Sequence, residues 1–255
     1  MIAAIIQARM GSRRLPGKIL KKVDGIPLLK IQCERVKRSR VLNKIIVATS
    51  DFIQDDVVEA FCLENEIECF RGEENDVLSR YYQCAKRNGV DVIVRLTADC
   101  PLVDPEIIDE VVRVYLEKDI DYVANTVPVE SSTFPEGCDV EVFSFVALER
   151  AYQNCMDPNE REHVTFYFWK NENGFKTAQL IRKQDLSGYR FTVDYPEDFE
   201  VIEFILNELK KRNIFGSLEE IVSIIECNQQ IKEKNSRFYS GIGWERKGDI
   251  KNPFS

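Results

Sequence analysis

The chain has 255 residues but a single histidine, His163, and none of its eight cysteines stands in a Cys-x-x-Cys pair. A zinc cluster or a dithiol redox motif is therefore not expected. Most of the cysteines (Cys33, Cys62, Cys69, Cys84, Cys100, Cys138, Cys155 and Cys227) fall inside apolar segments. There a free thiol packs as a small hydrophobe, so reduced thiols and a cytoplasmic setting are expected. No apolar run approaches the ~20 residues of a membrane helix. The opening run, residues 2–6, is too short for a signal peptide and lacks a basic flank. Gly-x-Gly-x-x-Gly is absent, which weakens a dinucleotide reading, and so is Gly-x-x-x-x-Gly-Lys-Ser/Thr, which leaves a GTPase-type site unsupported. Internal repeats, linkers and low-complexity segments are lacking too. Positive charge is in the minority, with 35 Lys and Arg against 43 Asp and Glu and a net charge of −8. That balance argues against nucleic acid as a partner.

What is present is an alternation of strand and helix signals. Apolar runs of strand length lie at residues 2–6, 44–48, 68–70, 91–96 and 122–124, with helical patterns at 28–38, 55–64, 77–86 and 105–117 between them. In the second helix Val57, Val58, Phe61 and Cys62 form one apolar stripe. Such alternation predicts an α/β fold built on a single, mostly parallel twisted sheet flanked by helices. Ligands then bind beyond the carboxyl ends of the strands. After residue 125 the pattern is less regular. A loop is expected at 125–137, strands at 139–143, 176–181 and 190–193, and helices at 145–152, at 160–169 and from Pro196 onward. One domain is expected over 1–227, with a smaller α+β subregion at about 125–190 and a polar tail at 228–255.

Against the acidic average stands Ala8-Arg9-Met10-Gly11-Ser12-Arg13-Arg14-Leu15-Pro16-Gly17-Lys18, directly after the first apolar run. Two glycines let the backbone approach a ligand, loops of this kind form anion nests, and arginine forks suit phosphate oxygens. Two carboxylates follow later apolar runs. Asp99 stands in Thr97-Ala98-Asp99-Cys100-Pro101-Leu102, and Asp194 in Val193-Asp194-Tyr195-Pro196-Glu197-Asp198. A carboxylate at a strand's carboxyl end beside a phosphate loop is a natural Mg²⁺ ligand. Asp194 could equally be the N-cap of the helix that Pro196 opens.

These segments resemble the cytidylyltransferase family of CMP-KDO and CMP-sialic acid synthetases, and most of all its spore-coat polysaccharide branch. Residues 8–18 match the pattern Ala-Arg-x-x-Ser-x-Arg-Leu-Pro-Gly-Lys, and residues 193–198 are similar to Val-Asp-Thr-Pro-Glu-Asp. Arg71-Gly72 with 76–81, and residues 97–102, resemble the spore-coat branch; the likeness runs over about residues 1–210. The resemblance implies a nucleotide-diphospho-sugar transferase (GT-A-like) fold and transfer of CMP from CTP to a sugar acid or related small acceptor, with pyrophosphate released, for surface polysaccharide or glycoconjugate synthesis. It implies that Arg9 and Lys18 hold the CTP phosphates, and that Asp99 and Asp194 hold Mg²⁺. Ala8, Gly11, Ser12, Arg71, Asp76, Thr97 and Ala98 would then complete the nucleotide site.

The acceptor would meet the less regular half, where Glu136, Asp139, Glu141, Arg161 and His163 are candidates. The family's His-x-Gly-x-Tyr-like pattern is replaced here by residues 161–167, which departs from a KDO site. A lone histidine is more often structural, and the acidic residues suit a solvated face as well as an acceptor with hydroxyls or an amine. The aromatic run 166–169 suits core or interface packing, and the resemblance implies a homodimer through this half. A glycosyltransferase with an Asp-x-Asp metal site, or a silent nucleotide-binding protein, are the competing readings.

Overall fold

The computed structural model describes residues 1–238. Its nine strands, counted among those residues, are β1 (Ile2–Gln7), β2 (Lys22–Val23), β3 (Ile26–Pro27), β4 (Lys44–Ser50), β5 (Glu68–Gly72), β6 (Val92–Thr97), β7 (Tyr122–Ala124), β8 (Glu141–Ser144) and β9 (Thr177–Gln179). Seven form one sheet in the order β5-β4-β1-β6-β8-β7-β9, while β2 and β3 make a small ribbon. All neighbours in the large sheet are parallel except β8, which runs antiparallel to both β6 and β7. The expected mostly parallel α/β fold is therefore the one observed. Strands covered on both faces need apolar residues at successive positions, and Ala3, Ala4, Ile5 and Ile6 of β1 are all fully buried.

The helices α1 (Leu28–Val36), α2 (Asp56–Glu64), α3 (Val77–Asn88) and α4 (Pro105–Glu117) lie between the parallel strands. On α4, Ile107, Ile108, Val111 and Val112 face the sheet, and Asp104 caps its start by accepting the Glu106 N–H at 2.9 Å. On α2 the buried stripe is narrower than the sequence pattern suggested. Val58, Phe61 and Cys62 are buried, but Val57 is turned to solvent.

In the second half follow α5 (Phe145–Asn154), α6 (Pro158–His163), α7 (Phe166–Trp169), α8 (Pro196–Arg212), α9 (Leu218–Glu226) and α10 (Gln229–Lys234). The single helix expected over 160–169 is two short ones. Val164 takes φ +63° between them, a conformation that ends a right-handed helix and is rare for a β-branched residue. The break turns Phe166, Phe168 and Trp169 into the core, where Phe168 packs on Tyr122 and Phe143. The expected strand at 190–193 is not one. It is an extended segment joined to two loops: Phe191 N–H donates to Glu136 O, and Val193 N–H to Asp99 O at 2.8 Å. No sheet edge lies along its length, so the ladder stops at a single bridge.

All eight cysteines are free. Among the described residues no helix is long and apolar enough to cross a membrane. Packing continues past residue 227. The helix α10 lies against α8 and α9, and Asn235 is only 5% exposed. The rest of the expected tail, 239–255, lies outside the described residues.

Candidate active site

The chain runs from β1 outward through β4 to β5, then returns to the far side of β1 as β6. The carboxyl ends of β1 and β6, where Gln7 faces Thr97 in register, are thus a switch point of the sheet, and a crevice opens there. The loop of residues 8–18 leaves β1 at this point, and the turn bearing Asp99 leaves β6 beside it.

Buried polar anchors that the sequence did not single out hold both loops. Asp55, fully buried, accepts the Met10 N–H at 2.7 Å and the Ser50 hydroxyl. Gln32 of α1 donates to Thr97 O at 2.8 Å and to Cys100 O at 3.1 Å. Arg35, one helical turn on, donates to Leu102 O, Val103 O, Phe215 O and Gly216 O. Burial lowers the Arg35 guanidinium to about 10, with Asp104 opposing. Within the first loop Gly17 adopts φ +67°, the left-handed region that glycine enters without cost. The Ser12 hydroxyl accepts the Leu15 N–H at 3.3 Å. Ala8 is buried and donates its N–H to Ala48 O, and Ala98 donates likewise to Gln7 O.

The centre of the crevice is one ammonium between two carboxylates. Lys18 Nζ lies 2.7 Å from Asp99 Oδ2 and 2.8 Å from Asp194 Oδ1. The two oxygens are thus no further apart than two hydrogen bonds end to end. Burial lowers the Lys18 ammonium, and the Asp99 and Asp194 charges more than restore it, so it is raised above its ordinary value. Burial alone would raise the Asp99 carboxyl; the Lys18 charge and bond, with Thr97, hold it well below the usual range. Asp194 is not the cap of α8. Tyr195 holds the cap position, and Asp198 in the first turn reaches back to it, its Oδ2 accepting the N–H groups of Asp194 and Tyr195 at 3.0 Å each. Two further arginines reach Asp194, neither assigned a role from the sequence: Arg14 at 2.7 Å and Arg190 at 3.2 Å. Arg14 carried a signal, as one of four loop cations; Arg190 carried none.

The donor set fits a divalent cation that phosphates help to hold. Mg²⁺ takes one or two carboxylates and completes its shell with phosphate oxygens and water. Among the described residues no group of three or more His, Cys, Asp or Glu could hold a metal alone. An ion shared by Asp99 and Asp194 needs the Lys18 ammonium to swing aside, which its long stem allows.

Beyond the carboxylates lies a cavity of about 710 Å³. Arg9, Arg14, Thr97, Asp99 and Asp194 line it, together with Glu136, Asp139, Glu141 and His163. Arg9 faces Glu162 at 3.8 Å, the loosest of the loop's ion pairs. Glu141 pairs with Arg95 and accepts the Tyr122 hydroxyl at 2.7 Å. Glu136 pairs with Arg190, yet burial pushes its carboxyl up to about 7, with Arg190 opposing and Asp139 assisting. Among the described residues no cation pairs with Asp139. It accepts from the Thr126 hydroxyl and the Gly137 N–H, both at 2.7 Å, and burial raises it. The His163 ring stacks on Phe166 at 4.3 Å.

Three of the residues expected in the site are engaged with protein partners. Arg71 pairs with Asp56 and Glu59 and donates to Ser50 O and Phe52 O, so it ties α2 to the β4 end. Asp76 caps α3, accepting the Ser79 N–H at 2.9 Å, and pairs with Arg161 at 2.7 Å. Neither Arg71, Asp76 nor Arg161 lines the cavity.

Between the lining residues Glu136 and Asp139 stands a position where only glycine fits. Gly137 has φ +98°, and a Cβ there would sit 2.2 Å from Thr192 N and 2.3 Å from Phe191 C. Gly137→Ala is expected to cost on the order of 2–3 kcal/mol from backbone strain and displacement of the Asp194 segment. Denaturant unfolding checks it; a loss under about 0.5 kcal/mol, the scale of an ordinary surface change, would contradict the close approach.

Fold and site together define a class: an α/β enzyme that handles phosphate at a sheet switch point, with cations from one loop and carboxylates from two others. Comparison with known proteins carries this further. The cytidylyltransferase family matches residues 3–241. The spore coat polysaccharide biosynthesis protein SpsF of Bacillus subtilis is 32% identical over 89% of this chain and 95% of its own. A cytidylyltransferase structure from Leptospira borgpetersenii superposes with a TM-score of 0.84 at 35% identity, over 91% of this chain and 96% of the other. The structure of CMP:2-keto-3-deoxy-manno-octonic acid synthetase with CTP shares the fold at 16% identity and a TM-score of 0.59, over 81% and 98%. The chain belongs to the cytidylyltransferase family. It is a CTP-dependent nucleotidyltransferase.

Proposed function

We propose that this enzyme transfers CMP from CTP to a sugar acid or related small hydroxyl acceptor seated in the inner cavity, using Mg²⁺ at Asp99 and Asp194. The observation that carries the reading is the pair of carboxylates converging on Lys18 in the lining of that cavity. The acceptor oxygen gives up its proton to water and attacks the α-phosphorus, and the bond to the bridging oxygen of the β-phosphate breaks. Pyrophosphate leaves in line, with no covalent enzyme intermediate. Asp99 and Asp194 would hold Mg²⁺, which would supply Lewis-acid neutralisation of phosphate oxygens.

The chain's own residues do the rest. Arg9 lines the cavity, is partly exposed and is available to a phosphate, its contact with Glu162 being long. Arg14 and Lys18 add charge beside the carboxylates and stabilise the leaving pyrophosphate. The fixed turns at residues 8–18 and 97–102 hold these groups in place before substrate arrives, which limits reorganisation during reaction. Glu136, Asp139 and His163 orient the acceptor.

A role in surface polysaccharide or glycoconjugate synthesis is supported by the similarity to SpsF. Homodimerisation belongs to the same reading on family resemblance alone, because Phe166, Phe168 and Trp169 are taken up within the subunit core.

Pyrophosphate release, measured with each of four nucleoside triphosphates against pools of sugar acids and polyols, tests the reading. Release with CTP alone, and only in the presence of an acceptor and Mg²⁺, is expected. CTP binding with no release across the acceptor panel would point to a silent nucleotide-binding protein, and release of a nucleoside diphosphate from a sugar nucleotide to a glycosyltransferase.

A further inference from the structure

The segment after α9 forms part of the wall of the cavity. Ile231, Lys232, Asn235, Ser236 and Phe238 all line it. The segment is clamped along its length by ion pairs, Lys232 with Glu226, Lys234 with Glu200 and Arg237 with Glu197. The Phe238 ring stacks on Tyr195 at 3.9 Å and 3°. On the other side of this stack Arg14 lies 5.1 Å from the centre of the Tyr195 ring. These contacts are at the surface, and exposed ion pairs add little each. Their effect is to carry one buried side chain to a defined place.

That side chain is Asn235. Its amide nitrogen has two hydrogens, and both are used: Nδ2 donates to Arg190 O at 3.1 Å and to Asp198 Oδ1 at 2.9 Å. These acceptors belong to the two residues that hold Asp194. Arg190 reaches the Asp194 carboxylate directly, and Asp198 accepts the Asp194 N–H. Arg190 and Asp198 are also joined to each other, Nε to Oδ1 at 3.0 Å. Asp198 is fully buried and Arg190 nearly so. A buried pair of this kind keeps its geometry only while its remaining lone pairs and protons are satisfied. Asn235 is the group that ties the side chain of one partner to the backbone of the other.

We infer that Asn235 is a positioning residue for the cation site: the C-terminal segment sets the direction of the Asp194 carboxylate through Arg190 and Asp198. The inference rests on the proposed Mg²⁺ site at Asp99 and Asp194. It makes residues 229–238 a working part of the nucleotidyl-transfer centre.

Mn²⁺ binding to the full-length protein tests it, measured by electron paramagnetic resonance with α,β-methylene-CTP present. Partners that orient a metal's ligands typically govern affinity by 10–100-fold, so Asn235→Ala should weaken Mn²⁺ binding about tenfold. Nucleotide affinity measured without any divalent cation should stay within about twofold, since Asn235 touches none of the loop cations. Asn235→Asp preserves the volume but sets a carboxylate against Asp198, and should weaken Mn²⁺ at least as much as alanine does. Asn235→Ser keeps one donor, disturbs packing least, and should fall between wild type and alanine; it decides the matter if the others fail to fold. Wild-type Mn²⁺ affinity in a folded Asn235→Ala or Asn235→Ser protein, even with a lowered melting temperature, overturns the inference. So does a metal-free nucleotide affinity that falls in proportion. Failure of the wild-type protein itself to bind Mn²⁺ would overturn the parent reading, and that result is visible before any variant is made.

Discussion

Asp99→Asn is expected to lower turnover by about a thousandfold while CTP affinity changes only a few-fold, because a charge that acts on the reacting phosphate contributes mainly in the transition state. The substitution is isosteric. It leaves the turn intact, because the Gln32 bonds go to the carbonyls of Thr97 and Cys100 and not to the Asp99 side chain. What it removes is one of the two charges that share Lys18. Pyrophosphate release gives kcat, and calorimetry gives the CTP affinity of the same protein. An equal loss in both would assign Asp99 to nucleotide binding only. Unchanged turnover would remove it from the chemistry altogether.

The largest effect on stability is expected from Arg190→Met. The Arg190 side chain is 4% exposed and contacts Glu136, Asp194 and Asp198. Removing the cation leaves three carboxylates facing one another, one of them fully buried. Breaking a buried ion network by deleting one member costs about 3–5 kcal/mol. In a domain of this size that lowers the melting temperature by roughly 10 °C. The sign with pH follows from the charges. Carboxylates that have lost their counter-ion bind protons more readily in the folded state, so the deficit relative to wild type shrinks on acidification from pH 8 to pH 5. Thermal denaturation of both proteins across that range checks this. A deficit below about 1 kcal/mol, the level of an exposed pair, or one that grows toward low pH, would show that Arg190 does not hold the network together.

Both predictions concern residues that differ in how visible they are in the chain. Asp99 is marked by its place: an apolar run ends, a carboxylate follows, and a proline closes the turn. Local order of that kind is what sequence carries well, because a parallel sheet demands apolar strands and delivers their ends to one crevice. The loop of residues 8–18 is legible for the same reason, since its glycines and cations are contiguous. Arg190 has no such mark. It stands in a segment whose alternation suggested a strand, and its three partners come from positions as far apart as Glu136 and Asp198. Arg71, Asp76 and Arg161 show the opposite case. Their local motifs suggested ligand contacts, and folding brought each a protein partner of opposite charge first.

Alternating apolar runs, turn glycines and capping residues were therefore enough to specify the α/β class, the order of its first elements and the two loops that face the crevice. These depend on interactions between residues near one another along the chain. Folding in three dimensions settled which cations meet which carboxylates. It placed Lys18 between Asp99 and Asp194, paired Arg71 with Asp56 and Arg161 with Asp76, and brought Asn235 against Asp198. Ion pairs and buried hydrogen bonds are decided by distance and burial after packing. Residues 18, 99, 194 and 235 acquire those only when the sheet and its closing helices are assembled.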